Sequence, residues 1–137
     1  MTARGGWIGA GALYFAMVFA VAFGLGTARV LLLVPKIGEI PAVLLEAPLI
    51  LMVSWAASRA CVRRFGVPAA AAPRLAMGGL AFGLLMVVEM ALAVLVFGQP
   101  LATYLAKFLT TAGVIGLAAQ VVFGLMPLLQ IRRSALR

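Results

Sequence analysis

The sequence predicts an all-α polytopic membrane protein, a four-transmembrane-helix bundle with a short interfacial helix near residues 101–109, and three observations predict it. Of 137 residues, 66% are hydrophobic and only 10% charged, against about 25% charged in a soluble domain. The mean hydropathy is +1.21. The apolar residues fall into four runs, each near the roughly 20 residues that cross a hydrocarbon core as a helix. One domain, 1–137, accommodates all four and leaves no room for a soluble one.

The first run extends from about Trp7 to Ala28. Arg4, an apolar stretch and Ala20-Val21-Ala22 have the form of a signal peptide with an A-x-A site, but the run continues past that site, so it is read as a first membrane helix. The second run covers about Pro41 to Ser58, the third Leu75 to Phe97 and the fourth Gly113 to Gln130. Pro35, Gly38 and Pro41 predict a tight turn between the first two; Gly66, Pro68, four alanines and Pro73 predict a short basic linker between the second and third. Before the fourth, Gly98 and Pro100 precede Leu101, Tyr104, Leu105, Phe108 and Leu109. Their i, i+3, i+4, i+7, i+8 spacing predicts an amphipathic helix in the membrane interface, with Thr103 and Lys107 off the apolar stripe. It reads as a structural connector in preference to a lid over a pocket.

Orientation follows from the basic residues. Arg4, Arg59, Arg63, Arg64, Arg74, Arg132, Arg133 and Arg137 collect on one side, against Arg29, Lys36 and Lys107 on the other. The positive-inside rule then places both termini in the cytoplasm and the protein in a bacterial inner membrane, with Trp7 and Trp55 near the cytoplasmic interface. The net charge of +8 lies at helix ends, where Arg59, Arg63, Arg64, Arg74, Arg132 and Arg133 are expected to meet anionic lipid headgroups. It does not imply nucleic acid. With no His and only Cys61, the chain cannot by itself assemble a zinc site, a His-ligated haem, a disulfide or a Ser-His or Cys-His pair. No metal, no cofactor and no enzymatic activity are expected, and Cys61 reads as a small apolar residue at a helix end.

Small residues recur every four positions in the first run, at Ala12, Ala16, Ala20, Gly24 and Ala28, and predict a ridge for close helix approach. The fourth run repeats the device with Ala112, Gly116 and Gly124, Gln120 standing in the missing place, and Gly79 and Gly83 form a shorter version in the third. Such ridges serve packing within one bundle or in a homo-oligomer or larger membrane complex.

The polar residues inside the runs carry the functional signal, because a charge deep in a bilayer costs about 3 kcal/mol or more and is a functional-site hypothesis by default. Arg29 lies at the outer end of the first helix, Glu46 five residues below Pro41, Glu89 eight from Phe97 and Gln120 seven from Gly113. At about 1.5 Å per residue, these four groups share one layer in the outer half of the membrane. Lys36 and Glu39 form a more exposed layer above it. Arg29 is expected to pair with Glu46 through its forked guanidinium. Two glutamates and one arginine leave a surplus negative charge, which protonation of Glu89 would relieve, and Glu89 would then be a proton or cation site or a neutral acid bonded to Gln120. Pro48 and Pro127 each remove a backbone donor and free the carbonyls of Leu44 and Phe123.

Gly26-Thr27-Ala28-Arg29-Val30, then Pro35, Gly38, Glu39, Glu46, Pro48 and a basic Arg63-Arg64 end, resemble small uncharacterised bacterial inner-membrane proteins of four predicted helices. The resemblance covers about the first half of the chain and implies no activity. In size and helix number the chain is also similar to small multidrug exporters and fluoride channels. It lacks the first-helix Glu of the former and a convincing asparagine-bearing motif of the latter, so it is assigned to neither. Three functions stay open: a membrane accessory or scaffold protein, which leads; a small dimeric proton- or cation-coupled transporter or channel using Glu89 and Glu46; and last an intramembrane enzyme acting on lipid or isoprenoid, for which no metal-ligand set or nucleophile with its base is visible. A polar, hydrated cavity joining Glu89 to the outer surface favours transport; a dry cluster favours the accessory role.

Overall fold

The computed structural model describes residues 3–135, with side chains described for 6–131. Helix fills most of this range, and no strand occurs among the described residues. Helix α1 (Ala3–Ala28) passes through a π-helical stretch, Arg29–Leu33, into the short α2 (Val34–Ile37). The first helical run therefore continues beyond the predicted end at Ala28. Pro35 does not stop it, because it falls in the opening turn of α2, where a missing N–H costs little. The break comes at Gly38, whose φ of 89° belongs to glycine, and α3 (Glu39–Phe65) starts at once. Gly66, left-handed at φ 62°, closes α3.

Helix α4 (Ala71–Ala91) ends in a second π-helical stretch, Leu92–Val96. The connector holds α5 (Leu101–Ala106) and a 3-10 turn, Lys107–Leu109, before α6 (Thr111–Ala135). Four stretches, Gly6–Ile37, Glu39–Phe65, Ala71–Val96 and Thr111–Ile131, are long and apolar enough to cross a membrane. This is a multi-pass membrane protein with an all-α fold.

Both α1 and α6 pack against α3 and α4, so the helices form a ring with α1 and α6 on one diagonal. Four crossings leave the start of α1 and the end of α6 at one end of the bundle and the connectors at Gly38 and residues 97–110 at the other. The core fills the terminal half, with Tyr14, Met77, Ala81, Phe123 and Met126 almost fully buried. Tyr14 spans the diagonal: its ring stacks on Phe123 at 4.4 Å, and its hydroxyl donates to the Phe123 carbonyl at 2.6 Å. This is the carbonyl that Pro127 leaves without its helical N–H. Nearby, the Ser58 hydroxyl donates to Gln130 Oε1 at 2.8 Å and Gln130 Nε2 donates to the Trp55 carbonyl at 2.9 Å. Cys61 is buried in the same core beside Met17.

Two expectations are corrected here. Arg74 is buried, not turned to lipid headgroups: its Nε donates to the Pro68 carbonyl at 3.1 Å and its Nη1 to the Pro127 carbonyl at 2.9 Å. Its helical phase explains this, since Arg74 shares the buried face of α4 with Met77, Gly78, Ala81 and Leu85. Arg59 is half-buried, Arg63 and Arg64 are exposed, and the side chains of Arg4, Arg132, Arg133 and Arg137 lie outside those described.

The second correction concerns the small-residue ridge of the first helix, which does not pack within the bundle and leaves only its use between chains open. Ala12, Ala16, Ala20 and Gly24 face outward and Ala28 is half-exposed; the face of α1 that enters the core carries Ala10, Tyr14 and Val18. Burying Tyr14 removes far more apolar area from the surroundings than burying alanine and satisfies the Phe123 carbonyl as well. A Cβ at Gly24, Gly79, Gly83 or Gly116 would meet nothing within 4 Å. Gly124 does pack as expected: the close helix approach lies between Gly78 and Gly124, where a Cβ on Gly78 would collide with the Gly124 carbonyl, and between Gly11 and Met77, whose carbonyl would stand 2.8 Å from a Cβ on Gly11.

Candidate functional site: a carboxylate-lined cavity

In the connector half the four membrane helices do not close on one another but border a half-open cavity of about 570 Å³. Val18, Leu85 and Phe123 form its floor on the packed core. Its rim includes the exposed Glu39, Phe97 and Thr110. Arg29, Glu46, Glu89 and Gln120, one from each membrane-crossing run, all line it. With Glu39 at the rim, all three acidic side chains of the chain border this single space. Lys36 is exposed and takes no part in the lining.

The two π-helical stretches flank the cavity, one beginning at Arg29 and the other three residues after Glu89. A π turn shifts the phase of a helix, a device common at functional sites. Arg29 Nε lies 3.2 Å from Glu46 Oε1, the two side chains 23% and 19% exposed. The pair is close but not aligned: Arg29 Nε and Glu46 Oε2 are both buried, with no hydrogen-bond partner among the described residues. Gly26 sits beside this carboxylate, and a Cβ there would stand 3.7 Å from Glu46 Oε2.

The second pair is better formed. Gln120 Nε2 donates to both oxygens of Glu89, at 2.9 Å and 2.8 Å. Both Glu89 oxygens face the Gln120 amide, so the expected pairing of these two residues is present. The cavity then faces Glu39, Glu46 and Glu89 against Arg29 and Lys107, a surplus of one negative charge in a chain whose total is +8.

The connector contributes more than its sequence pattern implies. Lys107 is not turned away from the aromatic residues: α5 gives way to a 3-10 turn at this residue, and Lys107 Nζ stands 4.3 Å from the Tyr104 ring centroid and 5.1 Å from that of Phe108. The two rings meet edge to face at 5.6 Å. Leu101, Leu105 and Leu109 point outward, so only Tyr104 and Phe108 of the apolar stripe turn toward the cavity. The Thr110 hydroxyl donates to the Lys107 carbonyl at 2.7 Å and accepts from the Gly113 N–H at 3.0 Å, tying the connector to the start of α6. Any Cβ on Gly113 would strike the Lys107 carbonyl. Burial, and secondarily the charge of Glu89, push the Tyr104 phenol above its ordinary range, so the phenol stays neutral.

Compared with family models, with curated proteins and with solved structures, the chain finds no match. Its function is therefore argued from the site alone.

Proposed function

We propose that this protein is a small membrane transporter that binds an organic cation in competition with protons, using Glu89 and Glu46. One observation carries the reading: all three acidic side chains of a strongly basic chain line one largely apolar cavity whose volume falls within the roughly 300–1,000 Å³ of small-molecule sites. Open space beside Glu89, in place of a closed ion-pair cluster, supports transport over a purely structural role. The eight-to-three distribution of basic residues argues for cytoplasmic termini in a bacterial inner membrane; the cavity then opens outward.

Apolar walls lower the local dielectric and strengthen the attraction of the surplus negative charge for an entering cation. Arg29 offsets Glu46, leaving Glu89 as the group whose charge is free to change. Protonation of Glu89 would cancel the surplus and release the cation, which couples the two ligands by competition. Phe123, stacked on Tyr14, closes the floor, and Pro127 inside the continuous α6 removes one helical hydrogen bond just below it. The outward small-residue face of α1 supports assembly with a second copy.

The test is equilibrium binding of tetraphenylphosphonium and of tetraphenylborate, nearly identical in shape and opposite in charge, to the purified protein. Preference for the cation supports the reading; equal binding counts against it.

A further inference from the structure

We propose that Tyr104 and Phe108 form a subsite for an alkylammonium group, and that Lys107 occupies it in the empty protein as a tethered competitor. This deepens the cation-transport reading and rests on it. A cation is attracted to the negative face of an aromatic ring, and paired rings are a recurrent way to hold quaternary ammonium ligands. Here the edge-to-face rings at 5.6 Å already hold one ammonium, at 4.3 Å and 5.1 Å from their centroids. Tyr104 is 3% exposed and lines the same cavity as Glu46 and Glu89, so a cation at this subsite shares that space with the carboxylates.

Lys107 is suited to leave. It is on a 3-10 turn of the connector, its flexible stem has several rotamers, and the rim beside it is exposed at Thr110 and Leu109. An incoming ammonium with apolar substituents would displace it, because the rings favour a weakly hydrated cation over a strongly hydrated primary ammonium. The ligand class is thus a lipophilic quaternary or tertiary amine whose charge sits on the rings while its apolar portion fills the space above Val18, Leu85 and Phe123.

The experiment measures benzyltrimethylammonium binding to purified protein in lipid nanodiscs by calorimetry, with a thermal melt for every variant. Lys107→Met, which keeps stem length without charge, should tighten binding about fivefold, the fold-change of one cation–π contact. Tyr104→Leu should weaken binding by a similar factor and remove most of the gain from Lys107→Met, while Tyr104→Phe, which keeps the ring, should bind like wild type. An equal gain from Lys107→Met in the presence and absence of the Tyr104 ring would show plain charge repulsion and overturn the subsite. So would the absence of any gain. If binding depends on Glu46 and Glu89 but ignores Lys107 and Tyr104, only the subsite fails; if no variant binds the probe, the cation-binding reading fails with it.

Discussion

Replacing Tyr14 with Phe should destabilise the protein by about 1–3 kcal/mol, the cost of leaving one buried acceptor unsatisfied. The bond it removes is short, 2.6 Å, and fully buried. Its acceptor, the Phe123 carbonyl, has no helical donor because residue 127 is proline. The stack on Phe123 survives in this variant, so the loss isolates the hydrogen bond; Tyr14→Leu should cost about 0.5–1.5 kcal/mol more for the lost ring pair, plus any cavity. The argument makes a sharper claim about Pro127→Ala. Alanine restores an N–H that can reach the Phe123 carbonyl, and in that background Tyr14→Phe should cost less than about 1 kcal/mol. Equilibrium unfolding in mixed micelles of the four proteins gives the coupling directly, expected at about 1–2 kcal/mol. Equal losses in both backgrounds would show that Tyr14 does not substitute for the donor that proline removes.

Arg29→Met and Glu46→Gln should each reduce folded yield or thermal stability more than the double variant does relative to either single one, because a lone charge in apolar surroundings costs more than a removed pair; additive losses in the double-mutant cycle would contradict the 3.2 Å contact. The Tyr104 phenol should titrate above the ordinary tyrosine range in the difference spectrum between wild type and Tyr104→Phe. Since its folded-state value is raised, its contribution to stability is complete below the unfolded value and is lost as pH rises through the folded one. Glu89→Gln removes the smaller of the two causes and should bring the titration part of the way down; an unchanged titration would mean that Glu89 does not act on Tyr104.

Much of the candidate site is legible before folding because depth in a membrane is counted along a helix. Arg29, Glu46, Glu89 and Gln120 fall at similar depth in four runs, and the structure pairs Arg29 with Glu46 and Glu89 with Gln120. Pro127 likewise announces a free carbonyl at Phe123. Rotation about a helix is harder to read. In α1 the Ala12, Ala16, Ala20 ladder and the Ala10, Tyr14, Val18 ladder have the same four-residue spacing, so periodicity cannot choose between them. The choice is made by Phe123 on another helix. Arg74 near the start of α4 has the sequence position of an interfacial residue, but its helical phase turns it inward, where the carbonyls of nearby Pro68 and of Pro127, remote in sequence, receive it.

Lys107 illustrates a different limit. Its place off the apolar stripe holds for a continuous α-helix, but the change to a 3-10 turn rotates it over Tyr104 and Phe108. The cavity itself is invisible to pattern reading, since it is unfilled space. Gly116, counted as a packing residue from its spacing, lines that space, and a Cβ there would meet nothing.

The central claim is that the cavity selects cations through its carboxylates. The measurement that tests it most directly is the ratio of tetraphenylphosphonium to tetraphenylborate affinity in detergent-solubilised protein, for wild type and for Glu46→Gln and Glu89→Gln variants shown by thermal melt to be folded. Wild type should favour the cation at least tenfold, about 1.4 kcal/mol, with one saturable site; each substitution should reduce that preference, and acidification should reduce it in wild type more than in Glu89→Gln. Equal affinity for the two ions, or a cation preference that survives both substitutions, would contradict the account.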